Sequence, residues 1–321
     1  MAYNNTYTKS DDRRGGRGNG RGGNRGDRRD NLASKAKRHV ADVERRFASE
    51  IAASVASLRV YDSMPSPKVD EPCVPTVTVV GEDSVSAVLS RGRGLASACD
   101  LAVLDFASFV SPGGGYIRGA MAQEEALCSE SMLYPALESQ KAWYSENRRR
   151  NINCSLYRNR GLVVPRVRFD REKFHSYADV IVVAAPYARS ARDEYRVSDD
   201  AMKSAMRDRI RFVLAIADDL GHKKLVLGAF GCGVFGWDAE VVAEMFREEL
   251  ASGAHAATEV VFAIPRGSRD ENLDRFEHAF AAFPEANGAA YVTRAEKAAA
   301  AAAEQAETED EDEEDDWRKY L

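Results

Sequence analysis

The sequence has few cysteines, and their arrangement is not that of a disulfide framework or a metal site. Among its 321 residues are five widely separated cysteines without a C-x-x-C pair: Cys73, Cys99, Cys128, Cys154 and Cys232. An odd, dispersed set of this kind is typical of reduced thiols inside a cell. The five histidines have no metal-binding spacing with the cysteines or with one another. We therefore expect neither a disulfide-rich secreted protein nor a bound metal or other cofactor.

Long apolar segments are also missing. No apolar run approaches the roughly 18 residues of a membrane-spanning helix, and the N-terminus lacks the apolar core of a signal peptide. The composition, 44% hydrophobic and 30% charged, is ordinary for a globular protein and permits a sizeable core. We expect a soluble, monomeric protein without membrane contact, in the cytoplasm, or in the nucleus if the source is eukaryotic.

The two ends of the chain lack aliphatic side chains that could form a core. Residues 1–31 are rich in Arg and Gly, and residues 294–321 are Ala-rich and then acidic, with an almost unbroken acidic block from Glu307 to Asp316. Such segments bury too little apolar surface to offset the entropy of ordering, so we predict that both are disordered. The basic end either makes a weak contact with nucleic acid or another polyanion or is a solubilising tail. The folded domain is predicted to span residues 32–293.

Helical and strand patterns alternate between the two tails. Apolar residues at helical spacing predict a helix from Leu32 to Leu58, which a proline-rich linker follows. Further helices are predicted at 82–92, 120–137, 198–221, 238–250 and 270–282, and strands at 76–80, 101–107, 161–169, 179–186, 223–230 and 259–265. The polar stretch 144–160 is predicted to be a surface insertion. This alternation predicts an α/β sandwich with a mainly parallel or mixed sheet.

Two glycine-rich loops each follow a predicted buried strand. One contains Gly113, Gly114 and Gly115 and shortly precedes the triplet Gln123–Glu125, and the other is "GCGVFG" at 231–236. Glycine lets the backbone approach a neighbour closely, and ligands of open α/β sheets bind at the carboxyl ends of strands. We therefore expect the two loops to hold a diphosphate from opposite sides through backbone N–H groups, without Lys or Arg.

The second loop also matches the G-x-G-x-x-G pattern of dinucleotide-binding domains. Those domains need an acidic residue near the end of the next strand, about 20 residues further on. Here that strand ends in "AIPRG", with Glu259 only at its start, and only one strand remains after the loop. A nicotinamide-dependent dehydrogenase is therefore disfavoured.

The paired glutamates Glu124 and Glu125 suit acid–base chemistry. One carboxylic acid can protonate a leaving oxygen and then act as base on the incoming water. A second carboxylate next to it, together with burial, would raise its pKa and keep it protonated. The alternative is a capping and dipole role at a helix start. The presence of both glycine loops favours the catalytic interpretation.

The stretch "PGGGYIRGAMAQEE" resembles the signature of the bacterial-type (microbial) poly(ADP-ribose) glycohydrolases, which is three glycines, a short spacer and Gln-Glu-Glu. The segments "VTVVGEDSVSAVL", "SLYRNRGLVVPRVRF", "VIVVAAP" and "LVLGAFGCGVFG" also follow in the order of that family, over roughly residues 40–285. The resemblance implies a macrodomain-like three-layer α/β/α sandwich with a mixed central sheet, here with an added N-terminal helix. It also implies hydrolysis of the ribose–ribose bonds of poly(ADP-ribose), on free polymer and on ADP-ribosylated proteins, without a metal.

The resemblance assigns roles to individual residues. Glu125 would be the catalytic acid, and Glu124 would hydrogen-bond the ribose hydroxyls next to the scissile bond. Phe235 would press on the distal ribose. The residues implied to bind substrate are Asp105, Gly113, Gly114, Gly115, Gln123, Gly231, Cys232, Gly233, Val234, Phe235 and Gly236.

Two residues depart from the family pattern. Asp105 stands where an asparagine is usual, and a carboxylate cannot donate a hydrogen bond and adds repulsion, which would weaken binding or shift substrate preference. Trp237 follows the second loop where a small polar residue is expected. Two alternatives to the glycohydrolase remain open: a reader that binds ADP-ribose without cleaving it, and an enzyme that removes single ADP-ribose units from proteins.

Overall fold

Seven strands form a mixed sheet at the centre of the computed structural model, which describes residues 23–268 and 270–303. The strands are β1 (Arg59–Tyr61), β2 (Thr76–Val80), β3 (Leu101–Phe106), β4 (Gly161–Arg171), β5 (Phe174–Val183), β6 (Lys224–Leu227) and β7 (Glu259–Ala263). Their order across the sheet is β1-β4-β5-β3-β6-β7-β2. The run from β5 to β2 is parallel, whereas β4 is antiparallel to both β1 and β5. The carboxyl ends of five strands therefore meet at one edge of the sheet.

Helices cover both faces of this sheet. They are α1 (Gly23–Arg46), α2 (Ala48–Ala56), α3 (Ser84–Arg91), α4 (Gln123–Ser129), α5 (Leu133–Glu138), α6 (Lys141–Arg150), α7 (Ala188–Asp193), α8 (Asp199–Leu220), α9 (Ala239–Ala251) and α10 (Asn272–Phe280). One apolar core packs α8, α9 and α10 against the sheet, and a second packs α1 and α3 to α6 against the other face. The three-layer α/β/α sandwich with a mixed sheet and an N-terminal helix is confirmed.

Elements with strong local signals lie close to their predicted positions. All side chains of β3 before Phe106 are buried, as its apolar run predicts for a strand covered on both faces. Helix α8 begins after Ser198, whose hydroxyl accepts from the N–H of Ala201, and ends at Gly221 with φ +75°. In β4, the register shifts between Val164 and Val167, around a proline that cannot donate to the ladder.

Four predictions about local structure were wrong. The first helix begins at Gly23 rather than Leu32, and it is interrupted at the buried Phe47, whose φ of −122° and ψ of 26° are not helical. The predicted helix 120–137 is divided into α4 and α5, and α5 tolerates Pro135 because a first-turn residue needs no intrahelical N–H bond. Residues 294–303, expected to be disordered, are helical.

The fourth error concerns residues 144–160, predicted to be a surface insertion. Tyr144 and Asn147 are almost fully buried in α6, and the amide of Asn147 donates to the carbonyl of Phe109 at 3.0 Å. The short elements β1 and α7 were not predicted. The predictions for residues 1–22 and for the acidic block from Glu307 lie outside the described residues. No helix of the described residues is long and apolar enough to cross a membrane.

Candidate active site

The triple glycine forms a tight loop between β3 and α4, and the two glutamates lie against it. Gly113 and Gly114 have φ values of +61° and +58°, in the left-handed region that favours glycine. A Cβ atom on Gly114 would lie 2.6 Å from Oε1 of Glu125 and 2.7 Å from Oε2 of Glu124. Glycine is therefore required here because two carboxyl groups occupy the space that a side chain would fill.

Backbone amides hold one oxygen of each carboxyl group. The N–H of Gly115 donates to Oε1 of Glu125 at 2.7 Å, and the N–H of Ser108 donates to Oε2 of Glu124 at 2.7 Å. The other oxygens, Oε2 of Glu125 and Oε1 of Glu124, are buried and have no partner among the described residues. Each glutamate therefore has one fixed oxygen and one buried oxygen without a partner among the described residues.

Two glycine N–H groups of the first loop are used within the protein. Gly115 donates to Oε1 of Glu125 at 2.7 Å, and Gly114 donates to the carbonyl of Ser111 at 3.1 Å. The expectation that this loop grips a diphosphate stays a prediction. Its observed role is to hold the carboxyl group of Glu125.

A third carboxyl group, that of Asp105 in β3, completes an acidic cluster with the two glutamates. Asp105 is fully buried, and neither of its carboxyl oxygens has a partner within the described part of the chain. Burial, and then the charge of Glu125, raise the pKa of Asp105 well above its ordinary value. Burial, and then the charge of Asp105, likewise raise the pKa of Glu124. Burial therefore favours the neutral forms of Asp105 and Glu124.

The side chain of Gln123 ties the start of α4 to its neighbours. Its amide nitrogen donates to the carbonyl of Leu104 at 2.8 Å and to the hydroxyl of Ser84 at 3.1 Å. Its amide oxygen accepts from the N–H of Phe106 at 2.9 Å. Gln123 therefore fixes the helix turn that carries Glu124 and Glu125.

The second glycine loop follows β6 and leads into α9, as the sequence predicted. Gly231 has φ +79°, and a Cβ atom there would lie 2.9 Å from both Ala185 and the ring of Trp237. Trp237 is buried, and its indole N–H donates to the carbonyl of Pro186 at 2.7 Å. The unexpected tryptophan therefore packs against the loop and supports its turn.

The second loop has free backbone donors. The N–H groups of Gly233, Val234 and Phe235 make no hydrogen bond within the described residues. A Cβ atom on Gly233 would meet nothing within 4 Å, and the side chain of Val234 is 65% exposed. The loop therefore offers consecutive N–H groups in open space, which is how glycine-rich turns bind phosphates.

Two tyrosines hold the ring of Phe235. The ring of Tyr187 stacks on it with centroids 4.8 Å apart, and the ring of Tyr157 meets it edge-on at 6.4 Å. Tyr157 also stacks on Phe109 at 4.4 Å. Aromatic pairs of this kind contribute about 0.5–1.5 kcal/mol each beyond the burial of their surface. This aromatic row (Phe109, Tyr157, Phe235 and Tyr187) therefore restricts the orientation of Phe235.

The buried Arg209 of α8 anchors the segment that carries Tyr157. Its guanidinium donates to the carbonyls of Tyr157 at 3.1 Å and Ala184, and to the side-chain oxygen of Asn159 at 2.7 Å. The segment needs such an anchor because several of its non-glycine residues have positive φ: Asn153, Cys154, Ser155 and Tyr157. Sequence analysis missed this contribution when it assigned residues 144–160 to the surface.

A cavity of about 970 Å³ brings most of these parts together, at the upper end of the range of small-molecule sites. The predicted site residues that line it are Gln123, Glu125, Gly231, Gly233, Val234 and Phe235. Those that do not line it are Asp105, Gly113, Gly114, Gly115, Glu124, Cys232 and Gly236. Glu125 and the second loop therefore share one space, while the first loop lies behind the glutamates. No group of three or more His, Cys, Asp or Glu side chains in the described residues has the arrangement of a metal site.

Helix α1 also lines the cavity, which the sequence did not predict. Leu32, Lys35, Ala36 and His39 face it, at the helical spacing i, i+3, i+4 and i+7. This spacing was visible in the sequence, but it gives no indication of which surface the helix packs against.

Comparisons with known proteins place the chain in one family. It matches the family model described as "Microbial-type PARG, catalytic domain" over residues 31–172. A poly(ADP-ribose) glycohydrolase from Thermomonospora curvata is 27% identical with a TM-score of 0.65, over 77% of this chain and 98% of that one. The enzyme from Deinococcus radiodurans in complex with ADP-ribose is 30% identical with a TM-score of 0.61, over 71% of this chain and 95% of that one. A search of curated proteins finds no significant match.

The similarity includes the residues that build the site. The family model spans the triple glycine, the spacer and both glutamates. The structural matches cover nearly the whole length of each glycohydrolase. The fold, the cradle around Glu124 and Glu125 and the open second loop are thus explained together: the chain belongs to the microbial-type poly(ADP-ribose) glycohydrolase family.

Proposed function

We propose that the protein hydrolyses the ribose–ribose O-glycosidic bonds of poly(ADP-ribose), in free chains and on ADP-ribosylated proteins, and releases ADP-ribose. The observation that carries this proposal is the position of Glu125. One of its carboxyl oxygens is fixed by Gly115, the other has no partner among the described residues, and the residue lines a cavity shared with the second glycine loop. The complex of the Deinococcus relative with ADP-ribose supports the same ligand here.

Glu125 would act first as an acid and then as a base. In its protonated form it donates a proton to the glycosidic oxygen while the bond from that oxygen to the ribose anomeric carbon breaks. Positive charge develops on the ribose, and a water molecule attacks the anomeric carbon. Glu125, now ionised, takes a proton from that water and returns to its starting state. Catalysis of this kind contributes about 10²–10⁴-fold to the rate.

The neighbouring groups would hold the substrate for that step. The unpartnered Oε1 of Glu124 would accept from a ribose hydroxyl, and the free N–H groups of Gly233 to Phe235 would bind the diphosphate. Phe235 would press on the ribose. The negative charge of a diphosphate held here would also stabilise the cationic transition state.

The test is release of ADP-ribose from a poly(ADP-ribosyl)ated protein by wild type and by Glu125→Gln. We expect the variant to lose at least about 10²-fold in rate while it still binds ADP-ribose, because the amide cannot donate and recover a proton. Glu172→Gln, at an exposed position in the turn between β4 and β5, is the matched control and should retain the wild-type rate.

The alternatives give different results in the same assay. If wild type bound ADP-ribose tightly but released none from the modified protein, the protein would be a reader rather than a hydrolase. Release only from proteins that carry single ADP-ribose units would indicate a mono-ADP-ribosyl-protein hydrolase. Equal loss of activity in Glu172→Gln would show that the assay reports folding rather than acid catalysis.

A further inference from the structure

One face of α1 forms a wall of the cavity whose chemistry suits a nucleotide. Four residues at the spacing i, i+4, i+7 and i+11 define this face, here called the α1 wall: Arg28, Leu32, Lys35 and His39. Leu32, Lys35 and His39 line the cavity, and Arg28 contacts the exposed Met121 beside it. The wall therefore combines two cations, about 10 Å apart along the helix axis, with apolar surface between them.

The α1 wall is fixed relative to the glutamates. The Tyr116 hydroxyl and Nδ1 of His39 are 2.8 Å apart, and Nε of Arg29 donates to the carbonyl of Arg118 at 3.0 Å. The carbonyl of Arg29 lies only 2.1 Å from where a Cβ atom of Gly119 would be, so this contact requires glycine. Because Tyr116 to Gly119 belong to the spacer between the glycines and Glu124, the helix is held against the segment that places the catalytic pair.

Lys35 is electrostatically isolated on this wall. It is the one Lys or Arg among the described residues that line the cavity, and it makes no ion pair with a described carboxylate. The other charged residues of the lining are acidic: Asp83, Glu125, Glu130 and Asp270. Cationic contacts favour the entry of a polyanionic substrate into such a cavity, and the described lining supplies one only on α1.

The ADP-ribose unit that is released has candidate binding groups away from this wall. The second glycine loop, after β6, has free N–H groups for its diphosphate, and the cavity also includes the end of β7 at Ala263 to Pro265. Helix α1 packs instead on the Tyr116–Arg118 turn, α2 and α5. Glu125 lines the same cavity, and the spacer that contacts α1 leads directly into the helix that carries Glu125.

We propose that the α1 wall binds the neighbouring unit of the polymer, the one that carries the leaving oxygen, with Lys35 and Arg28 contacting its diphosphate and Leu32 and Met121 its base. This inference rests on the proposed function and names a second subsite for it. A catalytic acid lies between the two sugars that it separates, so a subsite on the spacer side of Glu125 receives the leaving group. The wall would make longer polymer a better ligand than ADP-ribose.

The first experiment measures binding in the Glu125→Gln background, where turnover does not interfere. The probes are size-fractionated poly(ADP-ribose) and ADP-ribose, each with and without Lys35→Ala. We expect Lys35→Ala to weaken polymer binding about tenfold, as for loss of one charged hydrogen bond, and to change ADP-ribose binding less than about twofold. The salt dependence of polymer binding should also fall by roughly one unit in log–log slope.

Lys37→Ala is the matched control, since Lys37 is exposed on the same helix but does not line the cavity. It should leave both affinities and the thermal midpoint unchanged. If Lys35→Ala weakened the binding of polymer and of ADP-ribose equally, the proposal would be overturned, because Lys35 would then bind the released unit. Unchanged polymer binding would overturn it as well.

A second measurement separates this inference from the proposed function. With Glu125 intact, Lys35→Ala should raise KM for polymer several-fold and leave unchanged the hydrolysis of an aryl ADP-ribose ether, which has no second unit. If wild type cleaved neither substrate, the proposed function would fail. The binding measurements would still show whether the α1 wall binds a second unit of the polymer. If wild type and Lys35→Ala cleaved polymer with the same KM, the inference alone would fail.

Discussion

Asp105 shows how the environment of a residue changes the meaning of a substitution. An ionised carboxylate at this position would repel Glu125 and offer no donor. The group is instead fully buried, and burial followed by the Glu125 charge raises its pKa well above the ordinary value. A neutral carboxylic acid has an O–H group that can donate, as an asparagine amide does. The expected weakening of binding therefore does not apply to the protonated form.

The protonated Asp105 has a consequence for stability. In the unfolded chain an aspartate ionises near pH 4, whereas the folded protein keeps the proton to higher pH. Above pH 4 the folded state therefore binds more protons than the unfolded state, and the free energy of unfolding falls as pH rises towards the native pKa. Asp105→Asn removes this loss, so its stability should exceed that of wild type by an amount that grows by up to about 1.4 kcal/mol per pH unit.

Chemical unfolding of wild type and Asp105→Asn at pH 5 and pH 8 measures this difference. Asp193→Asn, at an exposed position in α7, is the control and should show no change between the two pH values. A variant that is less stable than wild type, or an advantage that does not depend on pH, would contradict a neutral buried acid. ADP-ribose release by Asp105→Asn near neutral pH should stay close to wild type.

At the scale of elements, the loop that carries Tyr157 acts on the site through packing. Tyr157 contacts Phe109 and Phe235 through its ring, and the described residues include no hydrogen-bond partner for its hydroxyl. Arg209 fixes the backbone of this segment. Phe235 lines the cavity. Motion of its ring would therefore change the position of a ribose bound there.

We predict that Tyr157→Ala lowers kcat for polymer about tenfold, because small misplacements of a reacting group cause losses of this size or larger. Tyr157→Phe keeps the ring and should remain within about twofold of wild type. Separate measurement of kcat and KM, with thermal midpoints to verify folding, checks this. Equal activity of the two variants at the wild-type level would show that Phe235 does not need the aromatic row.

The elements that the sequence predicted well are those whose signals are local. Helix α8 has its cap at Ser198 and its stop at Gly221, and β3 is an uninterrupted apolar run. The burial of Tyr144 and Asn147 depends on contacts with distant parts of the chain, such as the hydrogen bond from Asn147 to the carbonyl of Phe109. Such contacts leave no periodic pattern, which is why polar composition alone suggested a surface insertion.

The same distinction applies to the site. The sequence identified Glu125 and the second glycine loop, and the structure places both at one cavity. It did not reveal that the N–H of Gly115 in the first loop is used by Glu125, or that the N–H of Ser108 is used by Glu124. Consecutive glycines indicate that something comes close to the backbone. They do not indicate whether that neighbour is a ligand or the protein's own side chain.

At the scale of the whole molecule, the cavity and a buried charge cluster lie at opposite ends of the strands. The cavity is at the carboxyl ends of the parallel strands, whereas His255 lies just before the start of β7. His255 meets Asp218 of α8 at 2.7 Å and Glu249 of α9 at 3.4 Å. This cluster therefore joins two helices of one layer to the sheet.

The charge of His255 should contribute stability that depends on pH. Burial opposes its protonation, but hydrogen bonds to Asp218 and Glu249 outweigh burial and raise its pKa from 6.5 to about 9. The folded state therefore binds the proton more tightly than the unfolded state does. The contribution is complete below pH 6.5 and is lost as pH rises through about 9, with a size on the order of 2 kcal/mol after allowance for solvent screening.

His255→Asn tests this contribution, because an amide can still donate to Asp218 but carries no charge. Unfolding free energies measured from pH 6 to pH 10 should show wild type more stable than the variant at pH 6, with a difference that disappears above about pH 9. His175→Asn, on the exposed hairpin, is the control, since the His175 ring meets only the ring of Tyr177 and the carbonyl of Gly94 among described residues and no carboxylate. A difference that stays constant or increases with pH would mean that His255 acts by packing rather than charge. Since the cluster is remote from Glu125, ADP-ribose release at pH 7 should be the same in both proteins, and stability at this end of the strands could then be altered without affecting catalysis.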